Sequence, residues 1–471
     1  MCDRGDRGLG LPQLGQVHDR RVPVRAPARA LIPCSRSAPG PTTIQGRDPT
    51  EPGGSRQLRP DPGARVAQPD IVVVGAGLAG LATAWHLAPH ARVLVVDQAQ
   101  QPGAEASSQN AGMVRRLGDD PFERALAVRT AAWMADPGPD WPAPPPSRIT
   151  GAVLGLGLDP HHLNDAVAHL RARSIVVEAL CAPAEVAEVA VALRGAPLVG
   201  AWWLPDERVA DAWTLLQGFG AGLKRHGGEL RCRTRILGLQ RTADRIVGID
   251  TDRGSIQADR IVLATGAWSA ALARAHGLHR PLIPLRRTLL QSTPHPCSHP
   301  DHPWVWIDDV GLYARPEAGG WLVSGCDEAV DPPDPGPGSR GGLEPGPRAL
   351  AASKLDRWLP ALADAELRSG WTGLRTFAPD RRPVLGEDPD LRGLWWVAGL
   401  GGFGVTCSYA AGEAVATWMM GDQTPWLSPR AVSPGRSFLR RWPIRPHGDL
   451  ATSELIDAPE QPQDLERGGG R

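Results

Sequence analysis

The amino-acid sequence predicts an α/β fold with a parallel sheet and, beside it, a section of antiparallel strands. Two observations lead to this prediction. A short β-branched strand runs through a glycine-rich turn into an apolar helix within 70–87, and strands that end in glycine turns recur near 260–266 and 394–404. Strands of the first kind are typical of parallel sheets covered on both faces. Residues 280–330 instead contain short strand-like segments that follow one another closely, which favours antiparallel pairing.

The first glycine-rich turn has the pattern G-x-G-x-x-G, formed by Gly75, Ala76, Gly77, Leu78, Ala79 and Gly80. This pattern between a strand and a helix predicts that a pyrophosphate approaches the backbone at the helix N-terminus. The next strand ends at Asp97, about 20 residues after the first glycine, where a carboxylate meets a ribose hydroxyl. The motif predicts a dinucleotide site without choosing between FAD and NAD(P), although Asp97 argues against the 2′-phosphate of NADP. The alternative is a glycine-rich packing corner.

Composition excludes several classes of function. The 471 residues indicate two or three domains, and 51 basic residues balance 51 acidic ones, so nothing points to nucleic acid. Seven cysteines without a C-x-x-C pair indicate neither a disulfide framework nor a metal site, and they fit a reducing cytoplasm. No apolar stretch is long enough for a transmembrane segment.

The remaining elements are predicted from periodicity and from turn residues. Residues 1–67 are Arg- and Pro-rich and are expected to be disordered, as is most of the tail after 422. The predicted helices are 122–134, 161–173, 206–226, 348–358 and 407–420, with His161 and His162 at a solvated helix start. The predicted strands are 229–236, 245–250, 254–257, 258–265, 281–291, 304–308, 311–316 and 320–325.

Three further segments have the character of ligand-contacting turns. The loop with Ser107, Ser108, Asn110 and Gly112 has small hydroxyl residues that suit backbone lying against a flat ligand. The strand that ends at Thr265 and Gly266 is a second place where backbone meets a cofactor at the carboxyl edge of a sheet. A third strand and glycine turn lead into the predicted last helix through Gly402, Phe403, Gly404, Val405 and Thr406.

With these motifs in this order, residues 68–422 resemble the D-amino-acid oxidase superfamily of FAD-dependent amine oxidoreductases. That group includes glycine oxidase, sarcosine oxidase and D-amino-acid dehydrogenase. Besides the dinucleotide motif, the resemblance is carried by the motifs S-S-x-N-A-G at 107–112, A-T-G-A-W-S at 264–269, G-L-R at 373–375 and G-G-F-G-V-T at 401–406.

The resemblance implies a Rossmann-like FAD-binding domain with a doubly wound parallel sheet, interleaved with an antiparallel-sheet α+β substrate domain. The FAD-binding segments are expected at 68–135, 205–280 and 365–422. The substrate-domain segments are expected at 136–204 and 281–364, between an N-terminal extension 1–67 and a largely disordered tail 423–471.

The resemblance also implies site roles, and these follow the residues that match its motifs. Gly75, Gly77 and Gly80 would hold the pyrophosphate, and Asp97 the ribose. The other expected FAD-binding residues are Ala76, Leu78, Ala79, Ser107, Ser108, Asn110, Gly112, Ile236, Thr265, Gly266, Trp268 and 402–406. Arg375 would clamp a substrate carboxylate, and Tyr313 would lie on a substrate-facing strand. No Cys precedes Arg375 in its motif, so FAD is expected to be non-covalent, and Arg381-Arg382 replaces a turn that usually contains glycine.

The predicted activity is oxidation of a small amino acid or secondary amine by hydride transfer to flavin N5, followed by hydrolysis of the imine. Electrons would pass to oxygen, a quinone or a carrier protein, so oxidase and dehydrogenase both stay open. The alternative from another class is an FAD-binding subunit or flavoprotein partner that does not oxidise amines. The sequence leaves the oligomeric state open, a homo-oligomer included.

Overall fold

The computed structural model describes residues 68–333, 343–437 and 439. Predictions for residues 1–67 and for the end of the tail lie outside these residues. The strands are, in chain order, β1 (Ile71–Val74), β2 (Val93–Val96), β3 (Met113–Val114), β4 (Ser147–Ile149), β5 (Ala152–Leu156), β6 (Glu178–Leu180), β7 (Gly200–Leu204), β8 (Arg208–Ala210), β9 (Glu229–Arg231), β10 (Ile236–Thr242), β11 (Arg245–Thr251), β12 (Gly254–Gln257), β13 (Arg260–Leu263), β14 (Ile283–Ser292), β15 (Trp304–Ile307), β16 (Leu312–Glu317), β17 (Gly320–Ser324), β18 (Leu367–Phe377), β19 (Val384–Glu387) and β20 (Leu394–Ala398).

Helices connect and cover these strands. They are α1 (Leu78–Leu87), α2 (Pro121–Ala135), α3 (Asn164–Arg171), α4 (Pro183–Val189), α5 (Ala212–Arg225), α6 (Ser269–Ala275), α7 (Pro345–Trp358), α8 (Gly404–Met419) and α9 (Pro429–Val432), with 3₁₀ turns at Val191–Leu193, Gly266–Trp268 and Pro360–Leu362. No helix in the described part of the chain has the length and apolar character needed to cross a bilayer.

A six-stranded sheet carries the first glycine-rich turn. Its order is β19-β20-β13-β1-β2-β9, parallel except for the β19–β20 pair. Ile71 and Val73 of β1 pack into a core with α1 and α8, whereas Val72 and Val74 pack into a second core on the opposite face. Both faces are therefore buried, which explains the continuous apolar run of β1.

The second large sheet has eight strands in the order β18-β14-β17-β16-β15-β5-β7-β6. Its pairs are antiparallel except for β15 and β5. Helices α7 and α3 contribute Leu355 and Leu170 to the cores on its two faces. The mixed α/β fold class is confirmed, with one parallel-type and one antiparallel-type sheet, while the domain boundaries stay a prediction.

Two smaller three-stranded sheets complete the fold, in the orders β10-β11-β12 and β3-β8-β4. The first contains the predicted hairpin, since β11 and β12 pair antiparallel across the turn at Asp252 and Arg253. Within the predicted tail, α9 is formed and Leu427 and Val432 are buried against the core of the six-stranded sheet.

Three predicted elements are wrong in part. The predicted strand 229–236 is broken, because Arg233 has a φ of +54° and its N–H donates to the Ala99 carbonyl at 2.8 Å as the chain leaves the sheet. The predicted helix 206–226 begins only at Ala212, since Asp211 caps it and residues 208–210 form β8. The predicted helix 161–173 begins at Asn164, after Leu163 with a φ of +71°.

Candidate functional site

The turn between β1 and α1 is closely packed. Gly75 has a φ of +107°, and a Cβ at this residue would lie 2.4 Å from the Ala264 carbonyl oxygen. A Cβ at Gly80 would lie 1.8 Å from the Gly75 carbonyl oxygen, so α1 rests directly on the turn. Only glycine fits at either position without a backbone shift. The start of α1 therefore opens on the neighbouring cavity without an intervening side chain at Gly75 or Gly77, as a pyrophosphate site requires.

Asp97 lies at the end of β2 and is tied to this turn. Its carboxylate accepts hydrogen bonds from the N–H of Ala76 at 2.6 Å and of Ala99 at 2.7 Å. Burial raises the pKa of Asp97, and the two backbone N–H groups oppose that shift. The carboxylate is thus held at the cavity edge, and Ile236 at the start of β10 also lines the cavity.

The loop of residues 107–112 is held by its own polar side chains. Ser107 Oγ accepts a hydrogen bond from the N–H of Leu78 at 2.9 Å. Asn110 donates to the Ser107 carbonyl and accepts from the N–H of Gly112, both at 2.7 Å. These bonds hold the loop against the start of α1, whereas Ser108 Oγ turns back to the Glu105 carbonyl.

The third glycine turn precedes α8. Gly401 donates its N–H to the Thr376 carbonyl at 2.9 Å, which ties the turn to β18. Thr406 Oγ1, in the first turn of α8, donates to the Met113 carbonyl at 3.2 Å. The N-terminus of this 16-residue helix therefore faces the same cavity as the N-terminus of α1, and both carry the partial positive charge of a helix start.

One cavity of about 940 Å³ connects these elements. It lies beyond the carboxyl ends of β1, β2 and β13, where ligands bind in open α/β sheets, and it extends to the eight-stranded sheet. Of the predicted site residues, Ala76, Gly80 and Ser108 do not line it. The predicted residues that do are Gly75, Gly77, Leu78, Ala79, Asp97, Ser107, Asn110, Gly112, Ile236, Thr265, Gly266, Trp268, Tyr313, Arg375, Gly402, Phe403, Gly404, Val405 and Thr406.

Arg375 and Tyr313 lie at the sheet end of the cavity. Arg375 Nη1 is 3.1 Å from the position that a Cβ of Gly402 would occupy, so its guanidinium lies against the turn before α8. Burial and the neighbouring Arg287 lower the pKa of Arg375 to about 10, which leaves it charged at neutral pH. Tyr313 is buried with its ring centroid 4.8 Å from that of Trp306, and burial raises its pKa.

The sequence reasoning missed the partner of Arg375. Glu328 accepts hydrogen bonds from Arg375 Nη2 at 2.5 Å and from Arg381 Nη2 at 2.8 Å. The guanidinium groups hold the pKa of Glu328 at about 2, against the opposing effect of its burial. The only sequence signal was Arg381 itself, an arginine in a turn where the resembled family usually has glycine.

A second missed group surrounds Arg115, whose guanidinium lies 4.3 Å from the Trp306 ring centroid and 4.7 Å from that of Phe403. Asp308 accepts from Arg115 at 2.5 Å and lies 2.8 Å from His162 Nε2. His162 is therefore paired with a residue of the cavity lining and only partly exposed, so the prediction of a solvated helix start is wrong for it. Asp119 brings a third potential metal-ligand atom within 4.8 Å, but both Asp308 oxygens already have these partners.

These observations fit FAD. Three glycine turns from distant parts of the chain line one long cavity, two helix N-termini face it, and a carboxylate is fixed at the end of β2. The turn before α1 suits the pyrophosphate, the start of α8 suits the flavin ring, and Asp97 suits the adenosine ribose.

Comparisons with known proteins agree with this geometry. The family model for DAO, described as FAD dependent oxidoreductase, matches residues 70–418. A glycine oxidase from Pseudomonas aeruginosa is 30% identical over 374 residues, covering 77% of this chain and 98% of that protein. A D-amino acid dehydrogenase from Paramagnetospirillum magneticum is 27% identical, covering 74% of this chain and 95% of that protein.

Solved structures show the same fold. The L-proline dehydrogenase from P. horikoshii has a TM-score of 0.68 at 20% identity, covering 78% of this chain and 97% of that one. The glycine oxidase from Geobacillus kaustophilus has a TM-score of 0.66 at 23% identity, covering 78% of this chain and 99% of that one. With a family match across both large sheets, the chain belongs to the DAO family of FAD-dependent oxidoreductases, and it is an FAD-dependent amine or amino-acid oxidoreductase.

Proposed function

We propose that this enzyme oxidises a small amino acid or secondary amine by transfer of a hydride from the Cα–H of the substrate to flavin N5. The imine product is then hydrolysed. FAD is held non-covalently by the three glycine turns, and electrons leave to oxygen, a quinone or a carrier protein. The glycine oxidase and D-amino acid dehydrogenase relatives support an amino-acid substrate.

The position of Arg375 is the observation that carries the proposal. Its guanidinium lies against Gly402 in the turn before α8 and lines the same cavity as the three glycine turns. A guanidinium matches a carboxylate bidentately, so it fixes an amino acid by its carboxylate. Arg375 Nε is buried and has no hydrogen-bond partner among the described residues. A substrate carboxylate would provide that partner.

The surrounding residues position the substrate. When bound, FAD supplies a two-electron acceptor for the hydride. Arg375 would hold the carboxylate, and the buried ring of Tyr313 with the neighbouring Trp306 would form an aromatic wall that limits the access of water. The N-terminus of α8, which faces the cavity, would stabilise negative charge on the reduced flavin. A reaction of this kind depends on orientation of an uncharged amine more than on a strong base.

Anaerobic flavin bleaching tests the proposal. The FAD-loaded enzyme is mixed with glycine, N-methylglycine and the D- and L-amino acids, and the rate of flavin reduction is measured for each. Arg375→Gln should lower the rate constant at limiting substrate about tenfold to a hundredfold while flavin content stays unchanged, because a charged hydrogen-bond partner is lost.

Two further variants are compared with wild type and with Arg375→Gln. Arg375→Lys keeps the charge but loses the bidentate geometry, so it should fall between wild type and Arg375→Gln. Arg92→Gln removes an exposed guanidinium that is paired with Asp70 far from the cavity lining, and it should behave as wild type. The proposal fails if no amine reduces the flavin, or if Arg375→Gln is reduced as fast as wild type.

A further inference from the structure

Four basic side chains line one end of the cavity, and we name them the basic corner: Arg287, Arg375, Arg381 and Lys354. Glu328 accepts hydrogen bonds from all three arginines, with Arg287 Nη2 the most distant at 3.3 Å. Lys354 Nζ instead donates to three backbone carbonyls, those of Val310, Gly311 and Gly325, at 2.8–2.9 Å. Glu328 therefore pairs with three of the four cationic groups, and Lys354 has no carboxylate partner among the described residues.

The neighbouring acid Asp327 removes only part of this excess of positive charge. Asp327 accepts hydrogen bonds from the N–H and hydroxyl of Thr288, and its nearest cation is Arg286 at 3.8 Å, outside the basic corner. Because Arg286 also pairs with Glu344, Asp327 offsets one positive charge of the basic corner. Uncompensated charge inside a cavity attracts counter-ions much more strongly than the same charge at an open surface. The α-carboxylate of one amino acid would still leave more positive than negative groups at this end of the cavity.

Arg381 gives an independent reason to look for a second anion. It has a φ of +61° and closes a turn by donating its N–H to the Ala378 carbonyl at 2.9 Å. Glycine adopts this conformation without strain, whereas a side chain makes it costly. The residue with this costly backbone is an arginine, and its guanidinium lines the cavity beside Glu328.

Arg375 and Arg381 are arranged one behind the other. Both guanidinium carbons lie over the ring of Phe377, at 5.2 and 4.5 Å from its centroid, and both contact Glu328. The Arg375 side chain is 16% exposed and that of Arg381 is 37% exposed, so Arg381 lies nearer to solvent. A ligand with a carboxylate at each end matches this arrangement, because one carboxylate would reach the buried Arg375 and the other would reach Arg381 near the opening of the cavity.

We propose that the preferred substrates are amino acids with a second anionic group, in which Arg375 holds the α-carboxylate and Arg381 holds the side-chain carboxylate. This inference rests on the proposed function. Glu328 is then a positioning residue, because it holds the two guanidinium groups at a fixed separation through its two oxygens. Specificity follows from charge, so an amide of the same shape is a poor substrate.

The test compares acids with their amides. Anaerobic flavin reduction is measured with the D- and L-forms of aspartate, asparagine, glutamate and glutamine. In the wild type, the acid of one enantiomeric series should exceed its amide about tenfold to a hundredfold in kcat/KM, as expected for a hydrogen-bonded ion pair. Equal rates for acid and amide would overturn the proposal.

Arg381→Gly tests the binding role of Arg381 without disturbing the fold, since glycine adopts the left-handed backbone conformation of this residue without strain. It should abolish most of the preference for acid over amide. Ala318→Gly is the matched control: Ala318 has a φ of +49° in an exposed turn outside the cavity lining, so it relieves the same kind of strain and should leave the preference as in wild type. A preference that survives in Arg381→Gly refutes the assignment.

Ligand binding without turnover gives a second readout. Succinate should raise the Tm of the FAD-loaded enzyme more than its monoamide does, and Arg381→Gly should remove that difference. If no amine reduces the flavin but succinate shows this selectivity, the proposed function fails and the anion site stands. If amines reduce the flavin and succinate and its monoamide bind alike, only this further inference fails.

Discussion

Gly412 sets the distance between the two helices whose N-termini face the cavity. A Cβ at Gly412 of α8 would lie 2.7 Å from the Thr83 nitrogen and 2.8 Å from the Ala82 carbonyl carbon, both in the backbone of α1. Backbone atoms within a helix cannot rotate away as a side-chain end can. Gly412→Ala must therefore push α8 away from α1.

The magnitude has two opposing parts. Overpacking costs about 1–3 kcal/mol, and replacing a helical glycine by alanine recovers about 1 kcal/mol of helix propensity. The free energy of unfolding should fall by up to about 2 kcal/mol. Because the start of α8 moves relative to the start of α1, FAD affinity should fall as well. Thermal unfolding with and without FAD, and titration of the FAD-free protein by flavin fluorescence, measure the two effects.

Gly220 in α5 provides the matched control. It is also a helical glycine, but no atom outside the neighbouring backbone of its own helix lies within 4 Å of the position of its Cβ. Gly220→Ala should therefore stabilise the protein by about 1 kcal/mol and leave FAD affinity unchanged. If Gly412→Ala is as stable as Gly220→Ala and binds FAD as tightly, the helix spacing does not depend on this contact.

Three further predictions concern ionisable side chains. Asp388→Ala should lower the free energy of unfolding by about 3 kcal/mol in urea titrations, because buried Arg280 loses the carboxylate that accepts two of its N–H groups. As a control, Asp70→Asn, which breaks the exposed ion pair with Arg92, should lower it by less than about 1 kcal/mol. Burial raises the pKa of Glu123 to about 8 from 4.5, so wild-type stability should fall as pH rises across that interval, and Glu123→Gln should gain Tm relative to wild type from about pH 5 to about pH 8. The pKa of Glu328 is lowered to about 2, so its contribution is present above 4.5, and the Tm difference between wild type and Glu328→Gln should shrink as pH falls towards 2.

Elements with local signals were predictable. The unit β1-α1-β2 follows from an apolar run, three spaced glycines and a second apolar run, all within one continuous stretch. The hairpin of β11 and β12 follows from the turn residues at 252–254. The strands β14 to β17 each lie within two residues of their predicted bounds, because alternation and turn residues mark both ends.

Elements that depend on contacts between distant parts of the chain could not be predicted from the sequence. Residues 208–210 have no strand signal of their own and become β8 by pairing with β3 and β4, which come from two other parts of the chain. Glu328 reaches Arg375 from 47 residues away, and it lies just before a Pro- and Gly-rich segment with no periodicity. The pattern of the sequence places the glycine turns, whereas ion pairs across the cavity depend on how the two sheets meet.

Arg115 shows how such a contact changes the interpretation of the cavity. A buried guanidinium is costly unless it is paired and packed, and here Asp308 pairs with it while the rings of Trp306 and Phe403 pack against it. Asp308 therefore balances the charge of Arg115, and its second oxygen bonds to His162. Among the described residues at this end of the cavity, the basic corner has more cations than carboxylates, whereas Arg115 is paired one to one with Asp308. An anionic side chain should accordingly be drawn towards Arg381 and not towards Arg115, and the Arg381→Gly comparison tests that direction.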